Sequence, residues 1–417
     1  MNIALLGFGF VGQGVWHILQ SNREQLALKL GLDEADIQLK VVGVRDCQKA
    51  RNNGLPESIP VTDDIGSILA DPSIELVIEA IGGEHPAYQY IHDALVAGKH
   101  VVTANKEVIA KHQQVLFQLA HDHQVILACE AAVGGSIPLI RGLRVGFAAN
   151  KIQSVMGILN GTTNYMLTRM LADSMPYDDA LKQAQALGFA EADPTMDVSG
   201  MDVAYKVIIL AGVAFHVDIP IEAMPVEGIE SIQLADMLHA QDMGYVVKLI
   251  GAITATDDGL AVRVCPMLLP NTHAMATVNN EVNALFLHGD CVGDAMMVGK
   301  GAGGIPTASA ILSDVVAIGA STSTPVRLEP AQLVPLCDQE TAMYMRVSVQ
   351  DHVGVLEQVT HVLSQAGVSL KTVVQKNQGD EASILLITHP VKESVIQGLQ
   401  LNELAAVLRI DAMVRVV

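Results

Sequence analysis

Asp202 and Lys206 stand four residues apart in a stretch that is otherwise apolar, among Val203, Ala204, Val207, Ile208, Ile209, Leu210, Ala211 and Val213. At helical spacing they share one face, where an exposed pair would contribute only about 0.3–0.5 kcal/mol. A helix that is apolar all round is buried, and charges inside it need a reason to be there. The pattern therefore predicts a desolvated acid–lysine pair kept for function, not a surface ion pair. Just upstream, the turn-rich passage from Gly188 to Asp202 gathers Glu191, Asp193, Asp197 and Asp202. A second lysine, Lys106, follows the strand-like Val101–Thr103, at the edge where open α/β sheets bind ligands. It reads equally as a solvated lysine opening a helix. Cys129 beside Glu130 has the chemistry of an acylating nucleophile, but a small buried core residue is the simpler reading. No HxxxH occurs, and the pair His121 and His123 reads as surface.

A different chemistry opens the chain. The apolar run to Leu6 reads as a strand, and Gly7, Gly9 and Gly12 follow it into a helical pattern through Val15, Ile18 and Leu19. Glycines there let the backbone approach a pyrophosphate, with the helix N-terminus supplying amide donors. At the end of the second predicted strand stands Val44-Arg45-Asp46. Arg45 suits a 2′-phosphate and favours NADP(H), while Asp46 keeps NAD(H) open.

The elements that must position these groups can be read in order. Strands are predicted at Gln38–Val44, Leu76–Ala80, Val101–Thr103 and Val125–Leu127, alternating with helices, which gives a parallel sheet of Rossmann type. From Lys151 the rhythm changes to an α+β unit, with strands at Ile152–Leu159, Val246–Ile253 and Ala261–Leu268. Helices are predicted at Tyr165–Ala172, Asp178–Leu187 and about Met201 to Phe215. A second glycine-rich turn, Gly299–Gly304, precedes helix-like Pro306–Ala320 and is expected to return to the nucleotide domain. Ser321–Cys337 reads as a linker. From Met343 the order β-α-β-β-α-β is that of a ferredoxin-like unit, with strands Tyr344–Val349, Val368–Gln375, Ala382–Thr388 and Ala412–Val416.

Composition narrows the class. The 417 residues carry a net charge of −20 with no basic cluster, which argues against nucleic acid. Half are hydrophobic and 17% charged, so the chain is not disordered in general. The apolar runs fall short of the roughly 18 residues of a membrane span, and the N-terminus lacks a basic region, so a cytoplasmic protein is expected. The five scattered cysteines suggest neither zinc nor a disulfide framework.

Four motifs together resemble homoserine dehydrogenase of the long form with a C-terminal ACT domain. They are Thr103-Ala104-Asn105-Lys106, Gly157–Tyr165 with its Asn160-Gly161-Thr162-Thr163-Asn164 turn, Glu191 to Lys206, and Gly301–Ser309. The resemblance covers essentially the whole chain. It implies NAD(P)H-dependent reduction of L-aspartate 4-semialdehyde to L-homoserine, on the way to threonine and methionine. It assigns Gly7, Gly9, Phe10, Val11, Gly12, Arg45, Thr103, Lys106, Gly188, Gly301 and Ala302 to the cofactor. Glu191, Asp202, Asn160 and Thr162 would hold the substrate, whose ammonium suits carboxylates. Lys206 would carry the proton, with Lys106 as rival or partner. A sodium ion held mostly by carbonyls would sit at Glu130, Val133, Gly135 and Ile137.

The implied domains are 1–132, completed by about 301–322, for the nucleotide; 133–300 for catalysis and dimerisation; a linker at 323–342; and 343–417 as the ACT domain. The resemblance implies dimerisation through the central domain, and ACT domains pair side by side and bind an amino acid, so a homodimer or homotetramer and feedback by threonine are expected. Val353 departs from the proline that many relatives have before Gly354. Two rivals stand beside this reading: an acylating semialdehyde dehydrogenase using Cys129, and a non-catalytic sensor of amino acid and nucleotide.

Overall fold

The first strand, Asn2–Leu6, is buried from Ile3 onward, as a strand covered on both faces must be. In the computed structural model, which describes residues 1–320, 327–378 and 381–417, it is central to a parallel sheet. The order is Val61–Thr62, Gln38–Gly43, Asn2–Leu6, Leu76–Glu79, His100–Thr103 and Leu127–Ala128. Leu5 stands opposite Val42 on one side and Ile78 on the other. Residues 321–326, which open the predicted linker and end the expected return to the nucleotide domain, lie outside the described residues.

The chain forms two compact units where the sequence rhythm suggests three. The first contains Met1–Ile152, Tyr205–Ala223 and His288–Ala331. Segments assigned by sequence to the middle domain belong here for local packing reasons. A Cβ on Gly135 would stand 2.4 Å from the Gly301 carbonyl, and one on Gly212 would stand 2.8 Å from Gln113 Oε1. The helix Gly304–Gly319 lies on Phe10–Ser21, so closely that a Cβ on Gly14 would meet the Gly304 carbonyl at 2.7 Å. The strand Gly293–Lys300, whose last two residues sequence reasoning placed in a glycine turn, leads into it.

The second unit contains Gln153–Ala204, Met224–Leu287 and Gln332–Val417. Its mixed sheet runs Val282–Gly289, Ile152–Ile158, Tyr245–Thr256, Gly259–Pro270, Val407–Val416, Glu340–Gln350, Glu381–Thr388 and Leu370–Gln378. The C-terminal residues follow the expected β-α-β-β-α-β order with one added two-residue strand, Val391–Lys392, ahead of the second helix; the helices are Val355–Gln365 and Glu393–Gln397. They do not stand apart, because Met267 and Leu268 pair in parallel with Arg415 and Val416. A bidentate Arg346–Asp236 pair, 2.7 and 3.1 Å, then ties the strand Glu340–Gln350 to the helix Leu234–Asp242.

Candidate active site

In the first unit the glycine turn is built by close approach. Gly7 has φ +96° and would carry a Cβ 2.6 Å from the Ala80 carbonyl, and a Cβ on Gly12 would strike the Gly7 carbonyl at 2.3 Å. Gly9 faces open space, where a ligand can approach the backbone. Beside it a cavity of about 540 Å³ is lined by Gly7, Gly9, Arg45, Asp46, Lys49 and Tyr90. Asp46 spends its carboxylate locally: it caps the helix Cys47–Asn52 by accepting from the Lys49 amide at 2.9 Å. Phe10, three-quarters exposed, and Gly304 line a second hollow with Trp16 and His17.

Thr103 ends its strand fully buried, donating its hydroxyl to Glu79 and accepting from the Asn105 amide at 2.9 Å. Glu79 also accepts from the Ile81 amide at 2.7 Å. Asn105 caps the helix Lys106–Asp122 through the Val108 amide, 3.2 Å, and donates to the Gly83 carbonyl, 2.7 Å. Lys106, half-buried, is thus the first residue of a helix that is capped and tied at its start.

That helix packs against the helix Met201–Phe215, which carries Lys206. The buried Gln113 amide donates to Asp218 Oδ1 at 2.9 Å and to the Ile208 carbonyl at 3.4 Å. Lys111 bridges Glu84, 2.7 Å, and Glu107, 2.8 Å, and lies over the Tyr205 ring at 6.0 Å. Those bonds hold the Glu84 carboxyl down at about 2 and raise the Lys111 ammonium above its usual range. Lys206 is buried at 8% exposure, as its apolar surroundings predicted.

In the second unit, Asn160 gathers the acids. It caps the helix Gly161–Ala172 by accepting from the Thr163 amide at 2.8 Å. Its amide nitrogen donates to Asp202 Oδ2 at 2.8 Å and to Asp197 Oδ1 at 2.7 Å. The predicted polar turn is therefore the first turn of the helix, which starts four residues earlier than the apolar rhythm suggested. Asp202 is 3% exposed. Thr162 donates to the Phe189 carbonyl at 2.6 Å, fastening the passage that carries Gly188 and Glu191. Both of those residues are exposed, and Gly188, at φ +75°, ends the helix Tyr177–Ala186.

The Glu130–Ile137 segment lies beside the second glycine turn, with the Ser136 amide donating to the Lys300 carbonyl at 3.2 Å. Glu130 accepts from the Ile140 and Arg141 amides, both at 2.8 Å, and burial with nearby Asp314 pushes its carboxyl up to about 7. Val133, Gly135 and Ile137 are buried and bring carbonyl oxygens, a donor chemistry that suits a hard cation. Among the described residues no three His, Cys, Asp or Glu side chains gather as a metal site. Cys129 is buried, and desolvation together with Asp314 and Glu130 raises its thiol well above the ordinary range. An acylating thiolate is therefore disfavoured.

Sequence reasoning missed Glu79, Lys111, Asp314 and the buried Lys248. Only Glu79 had a signal, an acid closing a buried parallel strand at its carboxyl edge.

A glycine turn that joins a buried parallel strand to a helix, beside a cavity lined by Arg45, marks a dinucleotide-binding protein. Residues 7–130 match the NAD-binding domain of homoserine dehydrogenase, and residues 138–316 match the homoserine dehydrogenase domain. The chain belongs to the homoserine dehydrogenase family. It is 37% identical to the homoserine dehydrogenase of Bacillus subtilis, covering 100% of this chain and 98% of that one. With the Synechocystis enzyme it shares 39%, over 100% and 99%. The crystal structure of the Thiobacillus denitrificans enzyme superposes with a TM-score of 0.94 at 34% identity, over 100% and 98%. A hyperthermophilic archaeal homoserine dehydrogenase solved with NADPH shares the fold at 24% identity and a TM-score of 0.65, over 78% and 99%. The activity is NAD(P)-dependent reduction of aspartate semialdehyde to homoserine, on a small-molecule substrate. Among the described residues no helix is long and apolar enough to cross a membrane.

Proposed function

We propose that Lys206 carries the proton of this reduction, that Lys106 assists it, and that Asp202, Glu191, Asn160 and Thr162 hold the semialdehyde. The burial of a lysine and an acid four residues apart on one helix carries this reading. A reduced nicotinamide nucleotide, when bound, supplies the hydride to the aldehyde carbon. The chain's own part is electrostatic: a lysine in a dry setting stabilises the alkoxide that develops and then protonates it. The carboxylates orient the substrate by its ammonium. Gly7, Gly9, Phe10, Val11, Gly12, Arg45, Thr103, Lys106, Gly188, Gly301 and Ala302 form the nucleotide site. NADP(H) is the preferred form, because Asp46 serves as a helix cap while Arg45 and Lys49 line the same cavity.

Glu130, Val133, Gly135 and Ile137 would hold a sodium ion through oxygen donors, giving the Glu130–Ile137 segment a fixed shape. Residues 343–417 act as an ACT-type regulatory domain that takes threonine, and the active form is a homodimer or homotetramer. The β-α-β-β-α-β order supports the regulatory assignment. Lys206→Ala tests the centre. Turnover should fall by more than about a hundredfold while NADPH still binds, and a loss under about tenfold, some 1.4 kcal/mol of barrier, refutes the role.

A further inference from the structure

One buried charge has no part in the chemistry above. Lys248 sits within the strand Tyr245–Thr256 at 3% exposure, on the same face as Ile250 and Ala252 and the apolar cluster of Ile158, Met275 and Val278. Burying an ammonium there is unfavourable unless each N–H finds an acceptor. Three do: Lys248 Nζ donates to Asn164 Oδ1 at 3.0 Å, the Val278 carbonyl at 2.6 Å and Asn279 Oδ1 at 3.1 Å. All three partners are neutral, so the contact is a three-point tie with no ion pair among these bonds. Burial pushes the ammonium down to about 8.

The tie lands on the helix that presents Asn160. Asn164, one turn after the cap, also donates to the Val278 and Val282 carbonyls at 3.1 and 3.0 Å. Further along, Arg169 donates to Asn280 at 2.8 Å, and the Asn280 amide donates to Thr168 at 3.0 Å. The backbone runs so close that a Cβ on Gly161 would stand 2.8 Å from the Glu281 carbonyl. One side of the helix start is therefore strapped to residues 278–282, and its tip holds Asp197 and Asp202 through Asn160.

We propose that Lys248 is a positioning residue for the reduction: its ammonium fixes the first turn of the helix Gly161–Ala172 and thereby the Asn160 amide and the Asp202 carboxylate. The inference rests on the reading of Asn160 and Asp202 as substrate-site residues. Small displacements of such groups lower rate steeply, and a residue acting through them lowers kcat while leaving nucleotide binding alone.

The test compares Lys248→Met, Asn164→Ala, the double variant, Lys248→Arg and Asp202→Asn in the full chain. Lys248→Met should lose about thirtyfold or more in kcat, with NADPH affinity by fluorescence titration within about twofold of wild type. Asn164→Ala should lose a similar factor, and the double variant should lose about as much as either single, since both cut one tie. Lys248→Arg, which keeps a charged donor, should recover part of the rate. Kcat within about threefold of wild type for Asn164→Ala overturns the proposal, even if Lys248→Met fails to fold. Losses that multiply in the double variant also overturn it. If Asp202→Asn is itself fully active, the substrate-site reading falls; if Asp202→Asn is impaired while Asn164→Ala and Lys248→Met are not, only the positioning role falls.

Discussion

Replacing Asp236 by Asn should destabilise the second unit far more than an ordinary ion-pair mutation does. Arg346 and Asp236 are 11% and 4% exposed and meet through two bonds, 2.7 and 3.1 Å. Tyr344 Oη adds a third bond to the same carboxylate at 3.1 Å. Asparagine keeps the shape but turns an NH₂ or a single oxygen toward a guanidinium that has lost its bidentate counter-charge. Breaking a buried pair from one side typically costs about 3–5 kcal/mol. Arg346 retains Gln233 at 2.9 Å and Asp411 at 3.5 Å, which places the loss near the lower end, about 3 kcal/mol.

For a unit of roughly 200 residues each kcal/mol shifts the melting temperature by about 2–4 °C, so calorimetry should show a drop of about 6–12 °C. The paired change Asp236→Leu with Arg346→Met removes both charges and should melt within about 3 °C of wild type. A shift under about 2 °C for Asp236→Asn would refute the claim that this pair clamps the C-terminal strands to the helix Leu234–Asp242.

Other outcomes follow from single residues. Arg45→Ala should raise the KM for NADPH by about ten- to a hundredfold, the loss of a charge-assisted bond of about 1.5–3 kcal/mol, and leave NADH unchanged. Equal effects on both nucleotides would show that Arg45 does not meet the 2′-phosphate. Lys248 titrates near 8 when folded against 10.5 when free, so on raising the pH the folded state loses its proton first. Between those values the unfolded chain holds more protons, and stability rises with pH by up to about 3 kcal/mol, while below pH 8 this contribution is flat. Urea midpoints at pH 8 and pH 10 should diverge less in Lys248→Met, and identical divergence would contradict it. Threonine titrated against the intact enzyme should inhibit, and full activity at saturating threonine removes the regulatory role. Truncation near residue 340 is a poor test, since it would strip the partners from Asp236 and from the Gly259–Pro270 edge.

Much of this was legible where local rules act alone. The helix Met201–Phe215 was readable because its apolar run is long, and the glycine turn was readable because only glycine tolerates the Gly7–Ala80 approach. The early start of the helix Gly161–Ala172 was hidden by polar residues that a periodicity reading counts as loop, although Asn160 is a strong cap signal. Placement across long sequence separations was not legible. Nothing local says that Gly135 must meet Gly301, or that Arg415 must sit opposite Met267. Lys248 was hidden for the same reason: a lysine in a strand reads as solvent-facing until its three acceptors, drawn from residues 84, 30 and 31 positions away, are folded around it.

The choice of asparagine at position 160 bears on the proposed role of the acids beside it. Asp197 and Asp202 both accept from its one amide nitrogen. A lysine or arginine there would hold two carboxylates more strongly, but would neutralise them and compete with the ammonium of an amino-acid substrate. An amide aims a carboxylate without cancelling its charge. The same side chain meets the helix start through its oxygen, so orientation is drawn from the Thr163 amide and not from the acids. On the proposed substrate-site reading, the electrostatic demand of the substrate and the structural demand of the helix fall on opposite ends of one neutral side chain, and that is the ground on which the proposed tie at Lys248 would act on the chemistry.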